Sequence, residues 1–237
     1  MPALLTVEQV NKSFQGVRTL TDVTFSLESG QVLGLIGPNG AGKTTIFNVI
    51  SGIYTADSGR IRLADVEITN RAPARIARLG VARTFQVART FNDMTVDENL
   101  RMALVTARLS SAEERRRVDA MLDQVGLRGA RDTYVSALPD GQKKLLEVAR
   151  AILLDPKLLI LDEPFAGVSA EVIEILIALI IRLAGTGIGC LVISHDIVSL
   201  PRLCEEVLVL VEGKVLTRGP VAEIRNDPRV VDAYLGA

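Results

Sequence analysis

Apolar and polar positions alternate early in the chain. Val23, Phe25 and Leu27 point one way along an extended backbone, while Thr24 and Ser26 point the other. This period-2 pattern predicts short strands over residues 4–35 and 59–68, forming an antiparallel sheet, with Asp57-Ser58-Gly59 as a turn. Within this part, Gln31–Ile36 reads as a short buried strand and Thr44–Ile50 as a helix that Gly52 stops. The pattern changes over residues 88–152, where helical spacing dominates. One helix there carries the stripe Leu145, Val148, Ala149, Ile152 and Leu153, with Lys143, Glu147 and Arg150 on a more polar side and Asp155-Pro156 at its end.

Strand-like runs then return at Leu158–Leu161, Cys190–Ile193 and Val207–Val211. The first two are continuous in apolar residues, as central parallel strands covered on both faces require. A helix over Glu171–Leu183 joins them as a crossover. The predicted class is α/β: a parallel core, an antiparallel β subdomain and a helical subdomain, all within one domain spanning residues 1–237.

Composition narrows the field. The chain has 237 residues, 48% of them hydrophobic, enough for a large core. A net charge of −1 gives no electrostatic case for nucleic acid, and Arg115-Arg116-Arg117 reads as a solvated helix face. The two cysteines, Cys190 and Cys204, allow no disulfide framework or zinc spacing, which fits a reducing compartment. The N-terminal residues lack a signal-peptide pattern. The longest greasy stretch, Val172–Ala184, contains Glu174 and Arg182 and falls short of the about 20 residues that span a bilayer. The mean hydropathy of +0.30 then points to buried parallel strands plus an apolar contact face.

The chemistry concentrates in a few segments. Gly37-Pro38-Asn39-Gly40-Ala41-Gly42-Lys43-Thr44-Thr45 matches G-x-x-x-x-G-K-[ST] in full, between a strand and a helix. Such a turn converges backbone N–H groups and a helix dipole on phosphates. Lys43 adds a mobile charge, and the Thr44 hydroxyl can bind Mg²⁺. Asp162 and Glu163 close a buried strand at the end where ligands bind in open α/β sheets. They suit a metal ligand and a general base acting on water, respectively. Gln86 follows Gly80–Phe85, and its amide oxygen can take a metal or a water. His195, the single histidine, follows the run ending Val192-Ile193-Ser194 and could reach a γ-phosphate. Leu138-Pro139-Asp140-Gly141-Gln142 opens the striped helix, with Asp140 as a natural cap residue.

In this order these pieces resemble the ATP-binding subunits of ABC transporters over essentially the whole chain. Residues 37–44 correspond to the Walker A motif, Gln86 to the Q-loop and Leu138–Gln142 to the family signature. Leu158–Glu163 corresponds to Walker B with its catalytic glutamate, and His195 to the switch histidine. Phe14 falls where the family places an aromatic residue against adenine. The resemblance implies ATP and Mg²⁺ as cofactors, with Thr44, Gln86 and Asp162 toward the metal. It also implies a dimer in which each Walker A faces the other chain's signature, and permease subunits docking near Phe91–Leu100.

A closer resemblance is to the subunits powering branched-chain amino acid importers. It is carried by Arg83-Thr84-Phe85-Gln86, Phe91, Met94-Thr95-Val96, Glu98-Asn99-Leu100 and the ending Ile224–Pro228 through Ala233–Gly236. Urea and short-amide importers share much of this pattern. The resemblance places the chain peripherally on the cytoplasmic face of the cell membrane, with a solute-binding protein as an indirect partner. Two departures matter. Pro139 and Asp140 stand where the family signature has serine and glycine, and Ala166-Gly167-Val168-Ser169 lacks the usual cross-interface aspartate. A distinct second ATPase subunit, forming a heterodimer, reconciles this with intact Walker motifs. A P-loop kinase, a soluble ABC ATPase and a nucleotide sensor are the rival readings. The kinase leaves the Leu138–Gln142 segment unexplained, the soluble ATPases usually carry a second module or an inserted arm, and the intact Glu163 opposes the sensor.

Overall fold

A computed structural model describes residues 3–194 and 200–235. The antiparallel sheet has the order β2-β1-β4-β5. Strands β1 (Ala3–Phe14) and β2 (Val17–Glu28) are long, and the two-residue turn Gln15-Gly16, with φ 49° and 85°, joins them. Val7 pairs with Phe25 and Val10 with Val23, and the predicted alternation holds: Val23, Phe25 and Leu27 are buried and Thr24 is exposed.

The expected turn at Asp57–Gly59 is instead the start of β4 (Ser58–Leu63), which pairs with β5 (Val66–Glu67) and β1. Gly59 has φ 93°, and a Cβ there would sit 2.4 Å from the Gln9 carbonyl oxygen. Glycine thus serves a close crossing at a bulge of β1, which sequence cannot distinguish from a turn.

The second sheet has the order β10-β9-β3-β8-β7-β6. Strands β3 (Val32–Ile36), β6 (Val81–Arg83), β7 (Leu158–Asp162), β8 (Gly189–Ile193) and β9 (Glu206–Val211) are parallel, and β10 (Lys214–Pro220) adds an antiparallel edge. Every residue of β7 and β8 is buried. Their side chains divide between two cores. Leu158, Ile160, Leu191 and Ile193 face the β subdomain, where Ile46, Phe47 and Ile50 of α1 (Lys43–Ile50) fill the space between the sheets. Leu159, Leu161, Cys190 and Val192 face the helices. Two-sided burial is why these strands read as unbroken apolar runs. Burial pushes the Cys190 thiol up to about 12, so it behaves as a small hydrophobe.

Helix α2 (Pro73–Arg78) precedes β6. The helical segment holds α3 (Val96–Leu104), α4 (Ser111–Gln124) and α5 (Asp140–Leu153). Thr95 and Glu98 form a capping box on α3, and Ser110 caps α4. On α4, Arg116 and Arg117 both pair with Glu113, so the arginine run belongs to an ion-paired surface helix. The predicted α5 stripe is buried, but so are Lys144 and Glu147. Glu147 therefore does not lie on a polar face as its spacing suggests. Helix α6 (Ala170–Gly185) makes the crossover from β7 to β8. Helices α7 (Val221–Ile224) and α8 (Pro228–Leu235) return to the sheet, where Val221, Ile224 and Val230 join the helical-side core with Ile36 and Val207. Among the described residues no helix is long and apolar enough to cross a membrane.

Candidate functional site

The phosphate loop leaves β3 where no side chain fits. A Cβ on Gly37 would lie 2.0 Å from the Leu210 carbonyl oxygen, across the sheet on β9. The Ala41 N–H donates to the Pro38 carbonyl at 3.2 Å, and Gly42, with φ 98°, caps α1 without a side-chain bond. The first amides of α1 therefore have no side-chain acceptor, the arrangement that favours an anion. The Lys43 Nζ donates to the carbonyls of Gly37 at 2.7 Å and Pro38 at 2.9 Å. Burial lowers its pKa, and the charges of Glu163 and Asp162 act in the opposite sense.

Asp162 ends β7. Its N–H donates to the Thr84 hydroxyl at 3.3 Å. Burial raises its pKa, Arg83 opposes that shift and Glu163 adds to it. Glu163 has φ 48°, a left-handed backbone costing a non-glycine residue of order 1 kcal/mol. The sharp turn sends its side chain to the phosphate loop. Lys43, Thr44, Gln86, Asp162 and Glu163 consequently line one open cleft of about 280 Å³, with Asn39, Gly40, Ala41, Gly42, Thr45 and Thr19. The Thr44 hydroxyl, Gln86 amide oxygen and Asp162 carboxylate are hard oxygen donors on the same cleft, a set that fits Mg²⁺. β8 ends on this cleft at Ile193. His195 lies outside the described residues.

The remaining candidates sit apart from the cleft lining. Phe14 ends β1 edge-on to Tyr54, with ring centroids 5.1 Å apart, and is 37% exposed. Leu138 is buried, Pro139 precedes α5 as its N-cap residue and Asp140 is the first residue of the helix. Asp140 makes no capping bond. Its side chain is 95% exposed, with Lys143 Nζ at 3.6 Å. A Cβ on Gly141 would meet Val172 of α6 at 3.1 Å. Gln142 follows in the first turn of α5, and Ser169 caps α6.

Tyr234 was not among the candidates. The hydroxyl of this α8 residue is buried without a hydrogen-bond partner among the described residues, and burial raises its pKa, with the charge of Glu163 acting in the same sense. Tyr234 lines an apolar cavity with Ile36, so the C-terminal helix lies against the end of β3 that feeds the phosphate loop. In the sequence, Tyr234 enters only as part of the ending Ala233–Gly236 that resembles the importer subunits.

Comparison with known proteins agrees with this geometry. Residues 20–166 match the ABC transporter family, and residues 214–237 match the branched-chain amino acid ATP-binding cassette transporter family. The chain is 36% identical to a probable branched-chain amino acid transport ATP-binding protein LivG of Archaeoglobus fulgidus, over 99% of this chain and 96% of that one. It is also 36% identical to the lipopolysaccharide export system ATP-binding protein LptB of Acidithiobacillus ferridurans, over 100% and 98%. Among solved structures, the ADP conformation of MJ1267, an ATP-binding cassette of an ABC transporter, superposes with a TM-score of 0.89 at 30% identity over the full length of both chains. A phosphate loop, a strand-end carboxylate pair and a cassette fold along its whole length place this chain in the ABC transporter family, as one of its ATP-hydrolysing subunits.

Proposed function

We propose that this subunit powers import of branched-chain or other hydrophobic amino acids. The observation that carries the reading is the match of the C-terminal residues 214–237 to the branched-chain amino acid cassette family. The LivG relative supports it. The equally similar LptB favours a second reading, lipopolysaccharide export. An importer of urea or short amides is a variant of the first.

In this mechanism the loop amides of residues 37–45 and Lys43 hold the ATP phosphates. Thr44, Gln86 and Asp162 would hold Mg²⁺, which would neutralise phosphate charge when bound. Glu163 takes the proton of the attacking water, and His195 contacts the γ-phosphate. Phe14 offers its exposed face to adenine. Segment Leu138–Gln142 meets ATP held by a second ATPase subunit, distinct from this chain because Pro139 has no donor and Asp140 carries negative charge.

Permease helices dock on the cytoplasmic side at a cleft of about 230 Å³ that includes Phe85, Arg89, Met102 and Leu154. Phe91, 43% exposed beneath the Arg150 guanidinium, adjoins it. Val96 and Leu100, within the docking stretch expected from sequence, are buried in the helical core instead. The test is ATPase stimulation in the membrane-reconstituted complex. Leucine-loaded solute-binding protein should raise turnover. Stimulation by lipopolysaccharide alone would replace the import reading with the export one.

A further inference from the structure

The loop carrying Gln86 changes its anchor at one residue. The Thr84 N–H still donates to the Ile160 carbonyl of β7 at 2.9 Å. From Phe85 onward the loop hangs on α5. The N–H groups of Phe85 and Arg89 both donate to the same oxygen, Oε1 of Glu147, each at 3.1 Å. The Lys144 Nζ donates to the Phe85 carbonyl at 2.6 Å and to Glu147 Oε2 at 3.3 Å. That carbonyl belongs to the peptide linking Phe85 to Gln86. One turn further, Arg150 Nη1 donates to the Arg89 carbonyl at 2.8 Å.

Lys144 and Glu147 are 4% and 5% exposed. Burying such a pair is costly, and apolar residues would stabilise a helix packed here at least as well. The pair therefore contributes something that packing does not, namely the setting of the loop. Its helix begins at Asp140, so the signature segment and the clamp share one rigid rod.

We propose that Lys144 and Glu147 are positioning residues that tie Gln86 to α5. A displacement of the signature end of α5 then moves the Gln86 amide relative to the phosphate cleft of the same chain. This inference rests on the reading of Gln86 as a metal contact. The carboxylate must reach two amides at once, so reach matters more than charge. Glu147→Gln keeps an oxygen for the two amides but loses the oxygen that accepts from Lys144, whereas Glu147→Asp keeps the charge and withdraws it from the loop.

The experiment uses the assembled transporter with Glu147→Asp, Glu147→Gln, Gln86→Ala and the double variant Gln86→Ala with Glu147→Asp. Amide exchange of residues 85–90 is measured without nucleotide or metal, and the Mg²⁺ concentration for half-maximal turnover is measured separately. Glu147→Asp should speed exchange of the loop and raise the Mg²⁺ midpoint about tenfold, the usual scale for a residue that orients a metal ligand. Glu147→Gln should move both less than Glu147→Asp does, and the double variant should match Gln86→Ala. Wild-type loop exchange and midpoint in Glu147→Asp, or rescue by Asp rather than Gln, would overturn the proposal while leaving the metal role of Gln86 standing. An unchanged midpoint in Gln86→Ala would remove that role and the proposal with it.

Discussion

The Glu163 N–H donates to the Ile193 carbonyl at 2.9 Å, pinning the end of β7 to the end of β8. With φ 48° at Glu163, this bond turns the chain so that a carboxylate from one strand faces a loop fed by another. The position is set by backbone, so an isosteric side chain should occupy it unchanged. Glu163→Gln should bind ATP with wild-type affinity, lose at least about 100-fold in kcat, and accumulate an ATP-bound dimer on size exclusion. Ordinary turnover in this variant would remove Glu163 as the base.

Among the described residues that line the cleft, Lys43 is the cation, and it is bonded to the carbonyls of Gly37 and Pro38. Lys43→Ala should cost on the order of 3 kcal/mol of transition-state stabilisation. Steady-state ATPase assays of the purified complex check this, and wild-type-like rates would contradict it.

Asp162 should show a trade between stability and function. Its pKa is raised by burial, so the folded protein binds the proton more tightly than the unfolded chain. The carboxylate therefore destabilises the nucleotide-free protein above that raised pKa, and the penalty disappears as pH falls through it. Asp162→Asn should raise the thermal midpoint at neutral pH, with a smaller gain in mildly acidic buffer, while Mg²⁺-dependent ATPase is lost. Differential scanning calorimetry across pH tests the sign, and a midpoint lowered at neutral pH would refute it.

Phe91 presents an exposed ring stacked under Arg150, whose guanidinium lies 4.5 Å from its centroid. Phe91→Asp at this surface should uncouple solute uptake from ATPase activity or release the permease subunits during purification. Unchanged uptake and co-purification would move the docking surface elsewhere.

The signature bears on asymmetry. Asp140 points to solvent at the start of α5, unbonded to any amide of its own helix. Its charge therefore faces whatever approaches that helix end. Reconstituted alone, the chain should turn over slowly, with gain from Pro139→Ser combined with Asp140→Gly and rescue by a distinct partner subunit. Fast turnover alone, indifferent to the double substitution, would favour a homodimer.

Sequence by itself determined the elements and the reactive segments. The 37–45 turn, the carboxylates closing Leu158–Asp162 and the alternation of β2 are local patterns, fixed by backbone sterics and side-chain periodicity. Only the tertiary structure decided what those segments meet. Gly59 is a crossing over Gln9 and not a turn, because a neighbouring strand bulges there. Glu147 sits inside because a loop distant in sequence offers it two amides, and Tyr234 meets Ile36 because α8 folds back against the end of β3. Burial of a charge depends on partners that sheet order brings together, and a one-dimensional pattern holds no record of that order.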